Sequence, residues 1–401
     1  MARTTRWLQN GAYQGKAQLI KYVPHIRTRS VFLRAALRPR SVLNGSSQSA
    51  NAWSIQHFAH AGLIVRRSSV RTVQPELSNL TARLMHASEE PLFSLQIQDA
   101  VVVLGSLERL GGCIYAIVSP GGDLLEEVSY DFFGARQHRF LQRLRFPIPE
   151  RLEGKTCVIL EPNAETYGHW VLEMLPRLLF IREKLGADAA NYRYLIAGSR
   201  QDYQVESLRH IGVPDQNIHW AKPGHCYEIA DALVPSFGSR GARNLRQDLI
   251  QRLRVGCELR ESTTSGSARR IYVERGKESF RRVLNEMQVI DLLRQRGFAV
   301  VNPRNYSFRE KVELFSSATV AVGVVSSGLA NAVFMPKGSK VIEIAPPDFV
   351  DTGNWILCDL IDVDYYCCTG RGRIDLEAKN RCSDVVVDLD LLEKTLDMAE
   401  I

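Results

Sequence analysis

The chain has 401 residues, 45% hydrophobic and 24% charged, with 28 Gly and 16 Pro. Ordinary Gly and Pro usage excludes a collagenous or wholly disordered chain, and the length allows two or three domains. The formal net charge is +7, yet residues 1–80 hold 12 Arg or Lys against one acid, Glu76, so the body is slightly acidic. That weighs against nucleic acid as a partner, because duplex binding needs a basic face on the folded domain.

Residues 1–85 read as a basic N-terminal arm. Arg27, Arg34 and Arg38 fall near one helical face, with Val31, Leu33, Ala35, Ala36 and Leu37 on an apolar side. Three readings stay open: a solvated arm, a helix lying on an anionic membrane through residues 1–80, or an organelle-targeting segment. Residues 1–15 lack the apolar core of a signal peptide, and 44–51 read as a loop. Segments 92–97, 100–104 and 113–119 read as strands of an antiparallel element, with Gly111-Gly112 and Pro120-Gly121-Gly122 as turns.

After Gly154 strands alternate with helices. Strands are expected at 157–160, 194–197, 218–220 and 232–235, and helices at 168–185, 204–211 and 247–259. Residues 261–267, Glu-Ser-Thr-Thr-Ser-Gly-Ser, read as a linker. The alternation then restarts with strands 270–273, 298–301, 319–323 and 340–344 and helices 284–296 and 328–334. A further helix opens at Ser307, where Glu310 completes a capping box. Residues 389–398 form a last helix, expected to pack back across the cleft. The uncharged run 314–336 is long enough to span a bilayer. Its Ser316, Ser317, Thr319, Ser326, Ser327 and Asn331 mark it instead as a buried strand–turn–helix. The expected fold class is α/β: two Rossmann-like domains facing a cleft, preceded by the basic arm and an antiparallel β element. The expected divisions are 1–85, 86–262 and 263–401.

Eight cysteines without a CxxC pair suit a reducing cytosol, and Cys367 and Cys368 read as buried thiols. Asp362, Asp364, Asp388 and Asp390 sit in alternating apolar runs, where solvent-facing acids are expected, so no metal site is expected.

Three stretches could hold chemistry. His169, Glu173 and Arg177 lie at i, i+4 and i+8, on one face of a helix. A carboxylate one turn from a histidine sets its tautomer and basicity, as a general base requires. Trp170, Met174 and Leu178 form the neighbouring apolar face. The alternative is an ordinary surface triplet of ion pairs. In the second stretch Arg275, Lys277, Arg281 and Arg282 surround a strand end and a helix start, a natural anion site. Asn285 and Glu286 follow. The third, Gly323 to Asn331, runs from a strand through Ser326, Ser327, Gly328 and Leu329 into a helix. Small side chains there let backbone N–H groups approach an anion. The dinucleotide and P-loop spacings are absent, which leaves a dehydrogenase or NTPase poorly supported.

Taken together these stretches resemble glycosyltransferase family 61. The carrying residues are Gly168-His169-Trp170-Val171-Leu172-Glu173-Met174-Leu175-Pro176-Arg177, then Arg281-Arg282-Val283-Leu284-Asn285-Glu286, then Gly297-Phe298 and Ser307-Phe308-Arg309-Glu310-Lys311 with Phe315 and Ala318. The chain departs from the family pattern at Thr166, where Asn is usual, and at Val325 and Ser326, where His and Gly are usual. The resemblance implies a GT-B type enzyme of the cytoplasm or membrane periphery. It would move a sugar with inversion from a nucleotide-sugar, usually a UDP-sugar, to a glycan or lipid-linked acceptor, without a bound metal or cofactor. His169 or Glu173 would be the base. Arg275, Lys277, Arg281, Arg282, Asn285, Glu286, Ser326, Ser327, Gly328, Leu329 and Asn331 would hold the donor. The departures at Val325 and Ser326 motivate the alternative of a non-catalytic carbohydrate- or nucleotide-binding relative.

Overall fold

The computed structural model describes residues 42–43, 53–59, 63–65, 70–74, 77, 86–88, 91–107, 112–131, 138–142, 146–238, 244–259, 269–276, 278–372 and 382–401. Its strands, in chain order, are β1 (Val42–Leu43), β2 (Trp53–Ala59), β3 (Leu63–Val65), β4 (His86–Ser88), β5 (Leu92–Leu107), β6 (Gly112–Val118), β7 (Leu124–Leu125) and β8 (Glu150–Ile159). There follow β9 (Arg193–Ala197), β10 (Ile218–Ala221), β11 (Cys226–Pro235), β12 (Arg269–Val273), β13 (Phe298–Val301), β14 (Ala318–Val324), β15 (Lys340–Ala345) and β16 (Asp364–Thr369). The first sheet has the order β1-β7-β6-β5-β11-β8-β9-β10, with β2 also on β5. The second has the order β13-β12-β14-β15-β16 and is parallel throughout.

The second sheet shows why its strands are so apolar. Val320, Val322 and Val324 of β14 pack on one face with Val289, Ile290 and Leu293 of the helix Glu286–Gln295. Ala321 and Val341 pack on the other with Phe308, Phe315 and Trp355. A parallel sheet covered on both faces needs apolar residues in every register position. The capping box at Ser307 forms: its hydroxyl accepts from Glu310 N–H, and Glu310 accepts from Ser307 N–H. Run 314–336 is the end of that helix, β14 and the 3₁₀ segment Ser327–Phe334. Among the described residues no helix is long and apolar enough to cross a membrane.

Four expectations change. Segments 92–97 and 100–104 are one strand, β5, which passes through Asp99 at φ 50°. Since β5 pairs antiparallel with both β6 and β11, the antiparallel element is continuous with the parallel strands and not a separate unit. Part of the arm is built into the fold: β2 pairs with β5, and Arg71 pairs with the outer edge of β16. Arg71 N–H donates to Tyr365 O at 3.2 Å, its carbonyl accepts from Cys367 N–H at 3.0 Å, and its guanidinium meets Asp364 at 2.8 Å. Gln74 bonds Thr369 twice, and Leu77 is fully buried. This strap covers a sheet edge that would otherwise present unpaired backbone groups. The last helix, Leu389–Met398, sits on the second sheet beside the helix Glu286–Gln295 and not across a cleft, because Leu392 and Leu396 complete that sheet's own apolar face. One hydrophobic core runs from the first sheet's strands to Ile271, Ala321 and Val341 of the second. Residues 27–38 and the linker 261–267 lie outside the described residues.

Candidate active site

The parallel strand β8 ends at Ile159, and Leu160 and Glu161 follow at the carboxyl edge of the first sheet. The chain then enters a short α turn, Tyr167–His169, a π turn, Trp170–Met174, and the α-helix Leu175–Leu185. The expected helix is therefore interrupted, and Pro176 supplies the reason. Proline has no N–H to close the ladder, and its ring crowds the carbonyl one turn back, so the turn widens. Trp170, Met174 and Leu178 are fully buried, and Trp170 Nε1 donates to Ser207 Oγ at 2.8 Å. That anchored face fixes the direction of the other.

On the other face His169 Nδ1 and Glu173 Oε1 are 2.6 Å apart. The His169 side chain is 30% exposed and that of Glu173 only 2%. Arg177 is buried: its Nη1 donates to Leu160 O at 2.8 Å and its Nη2 to Pro235 O at 3.3 Å. It also lies 3.9 Å from Glu161 Oε2. Glu161 completes the cluster, with one donor atom each from Glu161, His169 and Glu173 all within 4.8 Å of one another. Sequence reasoning missed Glu161. Its signal was an acid closing an apolar strand, at the end where α/β sheets bind ligands. That spacing alone would suit a cation. Within the cluster stand the short Nδ1–Oε1 bond and, 3.9 Å from Glu161, the Arg177 guanidinium.

Burial alone would lower the His169 pKa. The hydrogen bond and charge of Glu173, then the charges of Glu161 and Asp351, outweigh it and raise the imidazole to about 9. Glu161 moves the other way from a typical acid. Burial first, then the Glu173 charge, pushes its carboxyl well above the carboxylate range, against Arg177 and His169. With Nδ1–H donated to Glu173, Nε2 is the ring nitrogen left to accept a proton, the arrangement of an oriented base.

The third predicted stretch lies against the first. A methyl group on Gly168 would sit 3.5 Å from Ser327 Oγ and 3.6 Å from Ala330 Cβ. Tyr167 OH donates to Asn331 Oδ1 at 2.5 Å, and Asn331 Nδ2 donates to Gly328 O at 2.9 Å. Asn331 and Leu329 are fully buried, so they hold the turn and offer no open group. Ser326 is nearly buried, while Ser327 and Gly328 are half-buried. Val325 places its side chain in the second sheet's core, while its carbonyl accepts from Arg281 Nη1 at 3.0 Å.

The basic stretch divides. Arg281 reaches the Val325 turn and lies over Phe280, at 5.1 Å from the ring centre, and near Phe349, at 5.9 Å. Arg275 braces that loop through Arg281 O at 3.2 Å and Phe280 O at 2.9 Å. Burial and then the Arg281 charge lower the Arg275 pKa, the mark of two cations held close. Arg282 is instead paired with Asp384 at an exposed surface. Asn285 bonds both backbone groups of Val387, and Glu286 accepts from Tyr272 OH and Arg275 N–H. Asn285 and Glu286 are thus structural ties, and Arg282 is not brought to the Ser327 turn. Lys277 lies outside the described residues. Asp364 pairs with Arg71, Asp388 caps the last helix, and Cys367 and Cys368 are buried thiols. A cavity of about 550 Å³ lies at the opposite, amino edge of the second sheet, lined by Arg71, Lys340, Asp364 and Tyr366 among others, and holds none of the predicted site residues.

The histidine–carboxylate cluster and the small-residue turn thus lie together at the carboxyl edge of the strands, where α/β sheets bind ligands. Residues 167–342, which contain the cluster's helix and the facing turn, match the family model described as Glycosyltransferase 61. The resemblance to glycosyltransferase family 61 is therefore shown over that span. No curated protein matches the chain. Among solved structures, the dodecameric iron-containing heptosyltransferase TibC in complex with ADP-D-beta-D-heptose shares 11% identity, covering 73% of this chain and 83% of its own, with a TM-score of 0.27. The iron-containing dodecameric glycosyltransferase TibC from enterotoxigenic E. coli H10407 shares 11% identity over 71% and 82%, again with a TM-score of 0.27. At that score the likeness decides nothing about this chain.

Proposed function

We propose that the chain is an inverting, metal-independent glycosyltransferase that moves a sugar from a nucleotide-sugar to a hydroxyl of a glycan or lipid-linked acceptor. A UDP-sugar is the donor to test first. The observation behind this is the 2.6 Å His169–Glu173 pair beside the Ser327 turn. Burial separates the two roles: Glu173 is enclosed and orients, while His169 is the exposed member and meets the acceptor.

In the reaction the acceptor oxygen forms a bond to the anomeric carbon as the bond to the diphosphate oxygen breaks. The acceptor proton goes to His169 Nε2, and the leaving diphosphate takes the negative charge. Arg281 and Arg275, with the N–H groups of the Ser327–Gly328 turn, offset that charge without a metal. Of the four basic residues first named, Arg275 and Arg281 keep this role, while Arg282 is paired with Asp384. The shared hydrophobic core joins the two sheets, which suits a site assembled from both.

The test is release of nucleoside diphosphate over a panel of nucleotide-sugars and acceptors. His169→Ala is expected to lower turnover by about 10²–10⁴ while donor binding persists. Donor binding without turnover by the unaltered chain would favour the non-catalytic alternative, for which the Val325 and Ser326 departures speak.

A further inference from the structure

We propose that Glu161 is a positioning residue for this transfer: its buried carboxyl shares a proton with His169 and so sets the pH at which His169 is a free base. This rests on the reading of His169 as the base.

Glu161 is 2% exposed, and its Oε2 is enclosed without a hydrogen-bond partner. The nearest cation, Arg177, stands 3.9 Å from it and directs its hydrogens to the carbonyls of Leu160 and Pro235. Oε1 accepts only a long bond, 3.4 Å, from Asn163 N–H. A buried carboxylate so thinly supported is costly when charged. Within 4.8 Å stand a second buried carboxyl, Glu173, and the His169 ring. Two carboxylates that close do not both ionise unless cations balance them. Arg177 stands beside Glu161, and His169 beside Glu173, so the charge the two carboxyls can hold depends on whether His169 is protonated.

Two arrangements therefore hold the same number of protons. In one, the proton is on Glu161 and His169 is neutral, with Nε2 ready to accept. In the other, the proton is on His169 and Glu161 is ionised. Passage between them breaks one O–H bond and makes one N–H bond, with the proton exchanged through water because Glu161 makes no hydrogen bond to His169. Among the described residues, His169 and this cluster also feel Asp351 from the loop after β15, Tyr130 from the segment after β7, and Cys113 on β6. Asp351 acts on His169 with a fixed sign whether or not Glu161 is present. Tyr130 and Cys113 are both raised by burial, so they stay neutral through the relevant range. Among these groups Glu161 is the partner whose charge changes as His169 titrates.

The experiment follows the His169 ring by NMR across pH in the full chain without substrate, assigned by its loss in His169→Gln. Glu161→Gln is expected to lower the His169 midpoint by about one pH unit, the lower end of the effect of a charge at this range. The rising limb of the pH–rate profile moves by the same amount. If Glu161→Gln does not fold, Glu161→Asp draws the carboxyl back by one methylene, and a smaller downward move is expected. An unchanged His169 midpoint in the folded variant overturns the proposal, even in an active enzyme. An unaltered chain with no turnover for any donor overturns the transferase reading instead, so the two failures are distinct.

Discussion

Replacing Glu173 by Gln keeps the shape of the side chain and removes its charge. In the structure that charge is buried and held 2.6 Å from His169 Nδ1. A hydrogen bond to a charged partner contributes about 1.5–3 kcal/mol. At 1.36 kcal/mol per pH unit this is about one to two units of imidazole basicity. His169, raised to about 9 by Glu173 first among its favourable partners, should therefore titrate near 7 to 8 in the variant. Two effects follow, with opposite signs. The rising limb of kcat/KM against pH moves down by one to two units, since the base is freed at lower pH. The plateau rate falls by about tenfold to a hundredfold, since the freed base is weaker and less firmly aimed. The assay is nucleoside diphosphate release from pH 6 to 10 with saturating acceptor. A variant whose limb stays at the wild-type pH would refute the pairing of Glu173 with His169, whatever happens to the plateau.

The remaining predictions concern charge, packing and pH. Nucleoside diphosphate should raise the melting temperature, since a ligand at a hundred times its Kd stabilises by about 2.7 kcal/mol. Arg281→Ala should reduce that rise and Arg282→Ala should leave it, because Asp384 holds Arg282 elsewhere; equal effects would undo the assignment. Leu77→Ala should destabilise by about 2–5 kcal/mol, measured by urea unfolding, because Leu77 is fully buried within an arm that sequence reasoning left outside the fold; a change under 1 kcal/mol would mean that the strap is dispensable. Glu343 is fully buried with an unpartnered Oε1, and burial, against the Asn354 hydrogen bond, pushes its carboxyl up to about 8. The folded chain then keeps a proton that the unfolded chain releases near 4.3, so stability declines as pH rises between those values. Glu343→Gln should flatten that decline in melting temperature from pH 5 to 8, and an unchanged slope would count against it.

Much of the second sheet was legible in the sequence. The strand at 298–301 and the helix at 389–398 fall where the apolar pattern placed them, and 270–273, 319–323 and 340–344 are extended by only a residue or two. These elements are covered on both faces, so period, caps and breakers agree with the tertiary packing. The first sheet was less legible. Its β5 was read as two strands because Gln98 and Asp99 break the apolar run, yet β11 pairs with it from Ser94 to Gln98 and again from Ala100 to Val103, which carries one strand past that break.

At the site, the i, i+4 spacing of His169 and Glu173 determined their pairing, because any helical turn brings such residues together. The sequence likewise determined that Trp170, Met174 and Leu178 would face the core. Only the tertiary structure decided the rest. Glu161 and Arg177 meet because β8 and the helix after it fold back on one sheet edge, 16 residues apart along the chain. Arg281 and Arg282 are neighbours of one type, and the pattern cannot say which is taken by Asp384 and which reaches the Val325 carbonyl. That choice belongs to partners more than forty residues away. Local periodicity reports the face of an element, while the charge around a side chain is the sum over every element packed against it.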